Sequence, residues 1–596
     1  MCRISGIINS SFSPEFLQVK IKQMCTILQH GGPDDEGFYI SPDYPVVLGH
    51  RRLSLIDLSE AGHQPMSYAE ERYYISFNGE IYNYLELKDE LIQAGCNFRT
   101  HSDTEVILAA FSVWGTKSFS RLNGMFAFAL WDNYKGRLYL VRDSMGIKPL
   151  YYAITKEGIA FASEIRALKA LDYLQQENEK WQVYLMAYGH LPEPITTLQK
   201  VKPLAKGSFL EYNITGSNRT ETFFYYTYPE EINNRGEALE LVKDKLQKAV
   251  KRHLISDAPI GVFVSGGLDS SIIALLANRS ETTQLKTLSI FFQEAVYSEK
   301  KYQDLLQENL KCMQYQHLLK EEEFHTYFPS ILKAMDQPSC DGINTWFISK
   351  YARENGLKAV LSGIGGDELY GGYPSFKRMR TVSLLKDLPK SLLETGKTSN
   401  IKRWRRLAYL ALNGVAGEYL FLRGQFIPNE IANVLGINEK EVWEILKEQP
   451  QLPNINNLSL PNQASWIESN MYMQNQLLHD SDVMSMAHGL EIRVPFLDKE
   501  FSTLSFNIKS EIKYSGAKGK QMLIDSFKDI LPRSIWDKPK MGFSFPFREW
   551  FLNNEYIKET VASKDSANYK KFVSGKMHWS QLLMLFFIYN RDIGNA

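Results

Sequence analysis

The chain has 596 residues, 44% hydrophobic and 23% charged, with 68 Lys plus Arg against 68 Asp plus Glu. Single cores stop growing near roughly 250–300 residues, so at least two domains are expected. The balanced charge excludes a strong global field for nucleic acid or an anionic membrane, and no stretch approaches the ~20 apolar residues of a membrane span.

In chain order, residues 1 to about 225 read as short strands mixed with helices. Residue 2 is a cysteine, and the opening MCRISGIINS lacks the apolar run of a signal peptide. The other cysteines, 25, 96, 312 and 340, show no zinc or CxxC spacing, so a reducing, cytoplasmic setting is expected. RYYISF (72–77) and GRLYLV (136–141) carry the aromatic and β-branched residues of strands. YLELKDELIQAG (84–95) has helical apolar spacing and a closing glycine suited to a C-cap. Runs of strands with few helices predict a layered α+β domain, placed at 1–215. Pro192, Pro194, Pro203 and a polar segment from Gly216 to Thr222 mark the crossover.

From 235 the texture changes. ALELVKDKLQKAVKRHL (238–254) is an amphipathic helix, followed by a buried strand at 261–264, a glycine turn and a helix from about 270. Further strands are expected at 286–292 and 358–363, with helical stretches between and mostly helix beyond. The alternation predicts an α/β domain, 235–596, with a parallel sheet flanked by helices.

The first turn of that sheet reads Ser265-Gly266-Gly267-Leu268-Asp269-Ser270-Ser271. Glycines allow close backbone approach, and N–H groups at the helix start face an anion. Ser265 and Ser270 add hydroxyl donors, whereas Asp269 suits magnesium beside phosphates. The GxxxxGK[ST] lysine is absent, so this is not a Walker A loop. A second loop, Ser362-Gly363-Ile364-Gly365-Gly366-Asp367, also follows a strand, which places both at the carboxyl edge of the sheet. Asp367 is then a candidate to share the metal with Asp269. The plainer alternative is two glycine-rich junctions with solvated acids.

In the first domain, removal of Met1 would expose Cys2 as a thiol with its own α-amine as base. Phe77-Asn78-Gly79-Glu80 offers a side-chain amide and a backbone N–H to an oxyanion. Glu80 and Ser102-Asp103-Thr104-Glu105 supply carboxylates for an amino group, and His50-Arg51-Arg52 supplies a guanidinium for a carboxylate. A nucleophile, an oxyanion hole and grips for both ends of an amino acid suit glutamine. Singly, these motifs also read as a turn, a helix cap and a solvated basic pair.

Together with LGHRRLSLIDLSEAGHQPM (48–66), NGMFAFALWD (123–132), GIKPLYY (146–152), FASEIRAL (161–168) and SMAHGLEIRVPFLD (485–498), these motifs resemble the asparagine synthetase B family nearly end to end. The resemblance implies an N-terminal-nucleophile hydrolase αββα sandwich joined to a PP-loop synthetase with added helices. It implies Cys2 as nucleophile, Asn78 and Gly79 as oxyanion hole, and Arg51, Glu80 and Asp103 holding glutamine. ATP would rest on the glycine turn near Phe263, Ile290, Ser362 and Gly363. Asp269 and Asp367 would hold Mg2+ with pyrophosphate, and Lys540 would neutralise phosphates. Ammonia would pass through an internal tunnel to adenylated aspartate, and a homodimer is implied.

Five positions depart from that pattern, among them Val483, which stands where many members carry Lys or Arg before the SMA segment. Arg3 replaces the glycine after the nucleophile and is expected to crowd its pocket. Gly31 and Ser144 each replace an arginine. Ile364 replaces a glutamate beside the acceptor, which opens the alternative of another carboxylate substrate. Arg3, Gly31 and Ser144 also suit a chain with a degraded glutaminase half.

Overall fold

The computed structural model describes residues 2–280, 285–399, 402–412, 414–448, 452–538 and 544–590. Its N-terminal half contains two antiparallel six-stranded sheets. Their strands are β1 (Arg3–Asn9), β2 (Asp35–Ile40), β3 (Val46–Arg52), β4 (Met66–Tyr68), β5 (Tyr73–Ile81), β6 (Gly124–Asp132), β7 (Arg137–Arg142), β8 (Tyr151–Ile154), β9 (Gly158–Ala162), β10 (Lys202–Pro203), β11 (Ser208–Asn213) and β12 (Asn218–Thr222). The first sheet runs β10-β8-β9-β1-β3-β2 and the second β12-β11-β7-β6-β5-β4.

Strand alternation stacks these sheets between helices. In β1, Ile4 and Ile8 face the second sheet and pack with Ala127, Ala129, Leu138 and Leu140. Ile7 faces the other way, onto Leu17 and Ile21 of α1 (Pro14–Ile27). In β5, Ile75, Phe77 and Ile81 pack against α2 (Tyr84–Gln93) and α3 (Asp103–Trp114) through Leu87, Leu91, Val106 and Ile107. The result is the expected αββα sandwich. Burial of each such side chain contributes roughly 1.5–3 kcal/mol, and a one-residue slip would turn every one to the wrong face.

The C-terminal half is built on a parallel sheet in the order β15-β14-β13-β16-β17. Its strands are β13 (Ile260–Phe263), β14 (Leu285–Phe291), β15 (Cys312–Leu318), β16 (Ala359–Leu361) and β17 (Glu491–Arg493). Helices Leu268–Ser280, Lys300–Gln307 and Ile343–Glu354 lie between strands, and mainly helices follow. Two of the five strands were not anticipated. CMQYQHL of β15 is too polar to read as a buried strand, and β17 is only three residues long. Among the described residues, no helix is long and apolar enough to cross a membrane.

The halves share buried contacts. Tyr82, just after β5, stacks on His253 with ring centroids 3.8 Å apart. Lys148 pairs with Asp482 at 3.3 Å, both side chains buried.

Candidate active sites

Cys2 stands at the entrance of β1, the strand between β9 and β3. It lines a pocket with Arg52, Leu53, Leu55, Gln64, Gly79, Glu80 and Asp103. Burial pushes its thiol up to about 11, although the Leu53 N–H and the Arg52 guanidinium act in the opposite direction. The thiolate therefore needs a base or an opposing charge at neutral pH.

Asn78-Gly79-Glu80 is strand, not turn, and lies within β5. Asn78 shares a face with Ser76, whose hydroxyl donates to the Gly49 carbonyl across the sheets at 3.0 Å. Both amide atoms of Asn78 are buried with no hydrogen-bond partner. Leaving a buried donor unmet costs about 1–3 kcal/mol, so an acceptor presented there is favoured. Gly79 has φ +154°, and a Cβ would come within 2.2 Å of the Met125 carbonyl oxygen. Glycine is what lets β5 pair with β6 at this point.

Glu80 and Asp103 supply two buried carboxylates. Burial pushes Glu80 well above the usual carboxylate range even though an Arg493 nitrogen lies 3.2 Å from Oε1. Asp103 opens α3 and accepts from the Ile81 N–H at 2.9 Å; burial still raises it to about 6. Ser102, beside it, is the helix cap and accepts from the Thr104 N–H at 3.1 Å. An ammonium brought into this cavity would relieve both carboxylates.

The two arginines of β3 point in opposite directions. Arg51 donates to the Cys25 carbonyl of α1 at 3.0 Å and pairs with Glu36 at 3.3 Å, on the helix-covered face of the sheet. Arg52 faces the cavity with Cys2, held by the carbonyls of Ser59 and Asp57. Of the two, Arg52 lines the pocket with Cys2, and strand parity turns Arg51 away from it.

Arg3 does not line this cavity. Its fully buried guanidinium pairs with Glu164 at 2.6 Å and with Asp482 of the C-terminal half at 2.8 Å. A Cβ on Gly31 would sit 2.7 Å from Arg3 Cγ. Positions 3 and 31 thus share one space: the Arg3 side chain, entering from β1, fills the room that a side chain at 31 would need. Ser144, third of the departures in this half, hydrogen-bonds the Tyr226 hydroxyl at 3.1 Å.

In the parallel sheet, the turn after β13 leads into the helix Leu268–Ser280. Gly266 has φ +81°. The Ser265 hydroxyl lies 3.0 Å from that of Ser270 and accepts from the Gly267 N–H at 3.2 Å. Phe263 ends β13 half-buried, and Ile290 is buried in β14. The loop after β16 packs on this turn, since a Cβ on Gly363 would lie 2.9 Å from Asp269 Cβ and one on Gly366 2.5 Å from Asp269 Cγ. Asp269 and Asp367 meet on one cation, Lys520, which donates to Asp269 at 2.7 Å and also pairs with Asp367. Burial would lower the lysine's pKa, but the two carboxylates outweigh it and hold the ammonium charged. Ile364 is half-buried against the apolar core. Lys540 lies outside the described residues; Lys538, two residues earlier, pairs with Glu299 at 2.7 Å.

The site that accepts one ammonium between Asp269 and Asp367 also suits a divalent cation. Among the described residues no group of three or more His, Cys, Asp or Glu side chains is gathered into a metal cage. A metal here would take its remaining ligands from phosphate oxygens and water, as magnesium does.

Lys520, Arg52 and Arg493 are functional candidates that the motifs did not single out. Arg52 was visible as the second of two arginines. Lys520 sits in the polar run GAKGK (516–520), with no local signal that it folds back onto Asp269.

Comparison with known proteins agrees with this geometry. The asparagine synthase family model matches residues 241–578, and the glutamine amidotransferase domain model matches 1–225. The glutamine-hydrolysing asparagine synthetase 1 of Bacillus subtilis (strain 168) is 32% identical, covering 96% of this chain and 91% of its own. A putative glutamine-hydrolysing asparagine synthetase of Mycobacterium bovis is 31% identical over 91% of this chain and 86% of its own. A second putative one, from Methanocaldococcus jannaschii, is 32% identical over 76% of this chain and 89% of its own. With both family models matched in order and a relative similar across almost the whole length, the chain belongs to the asparagine synthase family.

Proposed function

We propose that this chain converts aspartate to asparagine at the expense of ATP, with ammonia drawn from glutamine. The observation that carries this is the pairing of two built sites in one chain: Cys2 with Glu80 and Asp103 in one cavity, and Asp269 with Asp367 gathered beside a glycine turn.

Removal of Met1 would place an α-amine beside the Cys2 thiol, and the free amine can take its proton. The thiolate attacks the glutamine amide while Asn78 and the Gly79 N–H stabilise the tetrahedral oxyanion. Glu80 and Asp103 hold the substrate's ammonium, and Arg52 its carboxylate. Collapse releases ammonia and leaves an acyl-enzyme for water. Leu53 and Leu55 line the cavity and belong to the same apolar cluster as Met125, Ile147, Val262 and Val264. That continuity supports transfer of neutral ammonia between the sites, because an ammonium ion would face the cost of an apolar environment.

At the second site, the turn from Ser265 to Ser270 presents N–H and hydroxyl donors to phosphates, with Phe263, Ile290, Ser362 and Gly363 near the nucleoside. The β-carboxylate of aspartate attacks the α-phosphate, forming an acyl adenylate and releasing pyrophosphate; ammonia then displaces AMP. Mg2+, held by Asp269 and Asp367, would neutralise charge on the phosphates. Lys520 is placed to offset charge on the same group, as is Lys540 by resemblance. We place the domain division between 215 and 235, and the enzyme in the cytoplasm as a homodimer.

The test is product identification with ATP, Mg2+, aspartate and either glutamine or ammonium. Asparagine, AMP and pyrophosphate are expected from both nitrogen sources. Cys2→Ala should abolish glutamine use and spare ammonium use. Absence of aspartate-dependent AMP would refute the assignment.

A further inference from the structure

Arg493 connects the two sites through one residue. Its backbone lies in β17, where its carbonyl accepts from the Ser362 N–H at 2.8 Å, at the start of the loop that packs on Asp269. Its side chain leaves the sheet and enters the cavity wall of the other half, 3.2 Å from Glu80 Oε1. The guanidinium also donates to Glu491 at 2.5 Å and to the carbonyls of His253 at 2.8 Å and Ile255 at 2.5 Å, so it moves only together with these groups and its own strand. No part of the residue is exposed. The second oxygen of Glu80 is buried with no hydrogen-bond partner, and so is Arg493 Nη2, so the 3.2 Å contact between the two side chains is an ion pair without a hydrogen bond.

We propose that Arg493 is a positioning residue that couples occupancy of the Cys2 cavity to the geometry of the nucleotide loop. A ligand ammonium that binds Glu80 changes what Arg493 must balance. Any shift of Arg493 along β17 is passed to the Ser362 N–H, because the side chain and the carbonyl belong to the same residue. The coupling is reciprocal: whatever factor the nucleotide imposes on glutamine affinity, glutamine imposes on nucleotide affinity. This rests on glutamine and ATP occupying the sites proposed above.

The experiment uses the full chain carrying Cys2→Ala, which binds glutamine without consuming it. Calorimetric titration measures glutamine affinity with and without a non-hydrolysable ATP analogue plus Mg2+, and analogue affinity with and without glutamine. A mutual change of about fivefold or more is expected in both directions. Arg493→Lys, which keeps the charge but loses the fork, should bring that factor close to one while both ligands still bind. Because this buried position tolerates little, a second readout needs no change at 493: glutamine should alter hydrogen exchange of the segment containing Ser362. Coupling that survives Arg493→Lys overturns the proposal, as does Ser362 exchange indifferent to glutamine. Failure of either ligand to bind the Cys2→Ala protein would instead overturn the assignment of that site, and this inference with it.

Discussion

Replacing Arg3 by alanine tests whether the residue beside the nucleophile obstructs the cavity or anchors it. The guanidinium is fully buried between Glu164 and Asp482. Removing one partner of a buried ion pair typically costs about 3–5 kcal/mol. Here Glu164 keeps His30 and Arg166, and Asp482 keeps Lys148, which argues for the lower end. A cost of about 3 kcal/mol corresponds to a fall of roughly 6–12 °C in the melting transition of a domain of this size. Gly31→Ala alone sets a Cβ 2.7 Å from Arg3 Cγ, an overpacking cost of about 1–3 kcal/mol. In the Arg3→Ala background that obstruction is gone, so the second change should be nearly silent, a coupling of about 1–3 kcal/mol in the cycle. The reciprocal exchange, Arg3→Gly with Gly31→Arg, sends a guanidinium into the same space from the other side and should recover much of the loss. Scanning calorimetry on the five proteins, with glutaminase assays alongside, decides the matter. Additive costs for positions 3 and 31, or faster glutamine hydrolysis by Arg3→Ala without thermal loss, would refute the anchoring role.

Three more outcomes follow from the geometry. Arg52→Ala should raise the KM for glutamine by on the order of 10²-fold, as expected for a lost charge-assisted grip, whereas Arg51→Ala should leave it within about threefold; the reverse ranking would contradict the strand parity. Lys520→Met should lower ammonium-dependent synthesis by on the order of 10²-fold or more while glutamine hydrolysis persists, and equal loss of both would assign the lysine a purely structural role. Asp103, raised to about 6 by burial, must be ionised to hold an ammonium, so KM for glutamine should climb as pH falls through about 6. The linkage sign is the opposite of a salt-bridged acid's: the folded state binds the proton more tightly, so the carboxylate penalises folding above that pH and the penalty fades as pH drops from there toward the unfolded value. Asp103→Asn should flatten this window in both the KM and the stability profile.

The parts of the fold visible in the sequence were those with strong local pattern. The glycine turn at 265–267 follows an apolar run and precedes a helix, and such a junction depends on neighbours in the chain. The choice between Arg51 and Arg52 was not visible, because both faces of β3 are covered and Val46-Val47-Leu48 shows no alternation to reveal which parity faces the cavity. The space shared by Arg3 and Gly31 joins a strand to the end of the segment after α1, a contact that no periodicity encodes. β15 was hidden by its polarity, which follows from its place at the edge of the sheet. Lys520 required knowledge of tertiary structure, since it lies 251 residues from the aspartate it contacts.

The lysine shared by Asp269 and Asp367 has a consequence for how this pocket behaves at rest. Two bare carboxylates at the mouth of a phosphate-binding turn would repel polyanions and collect stray cations. With the Lys520 ammonium paired to both, the three groups carry one net negative charge in place of two, which weakens both effects. On the function proposed above, a nucleotide arriving with its own counter-ion would trade one positive group for another, leaving the Lys520 ammonium to face the phosphates.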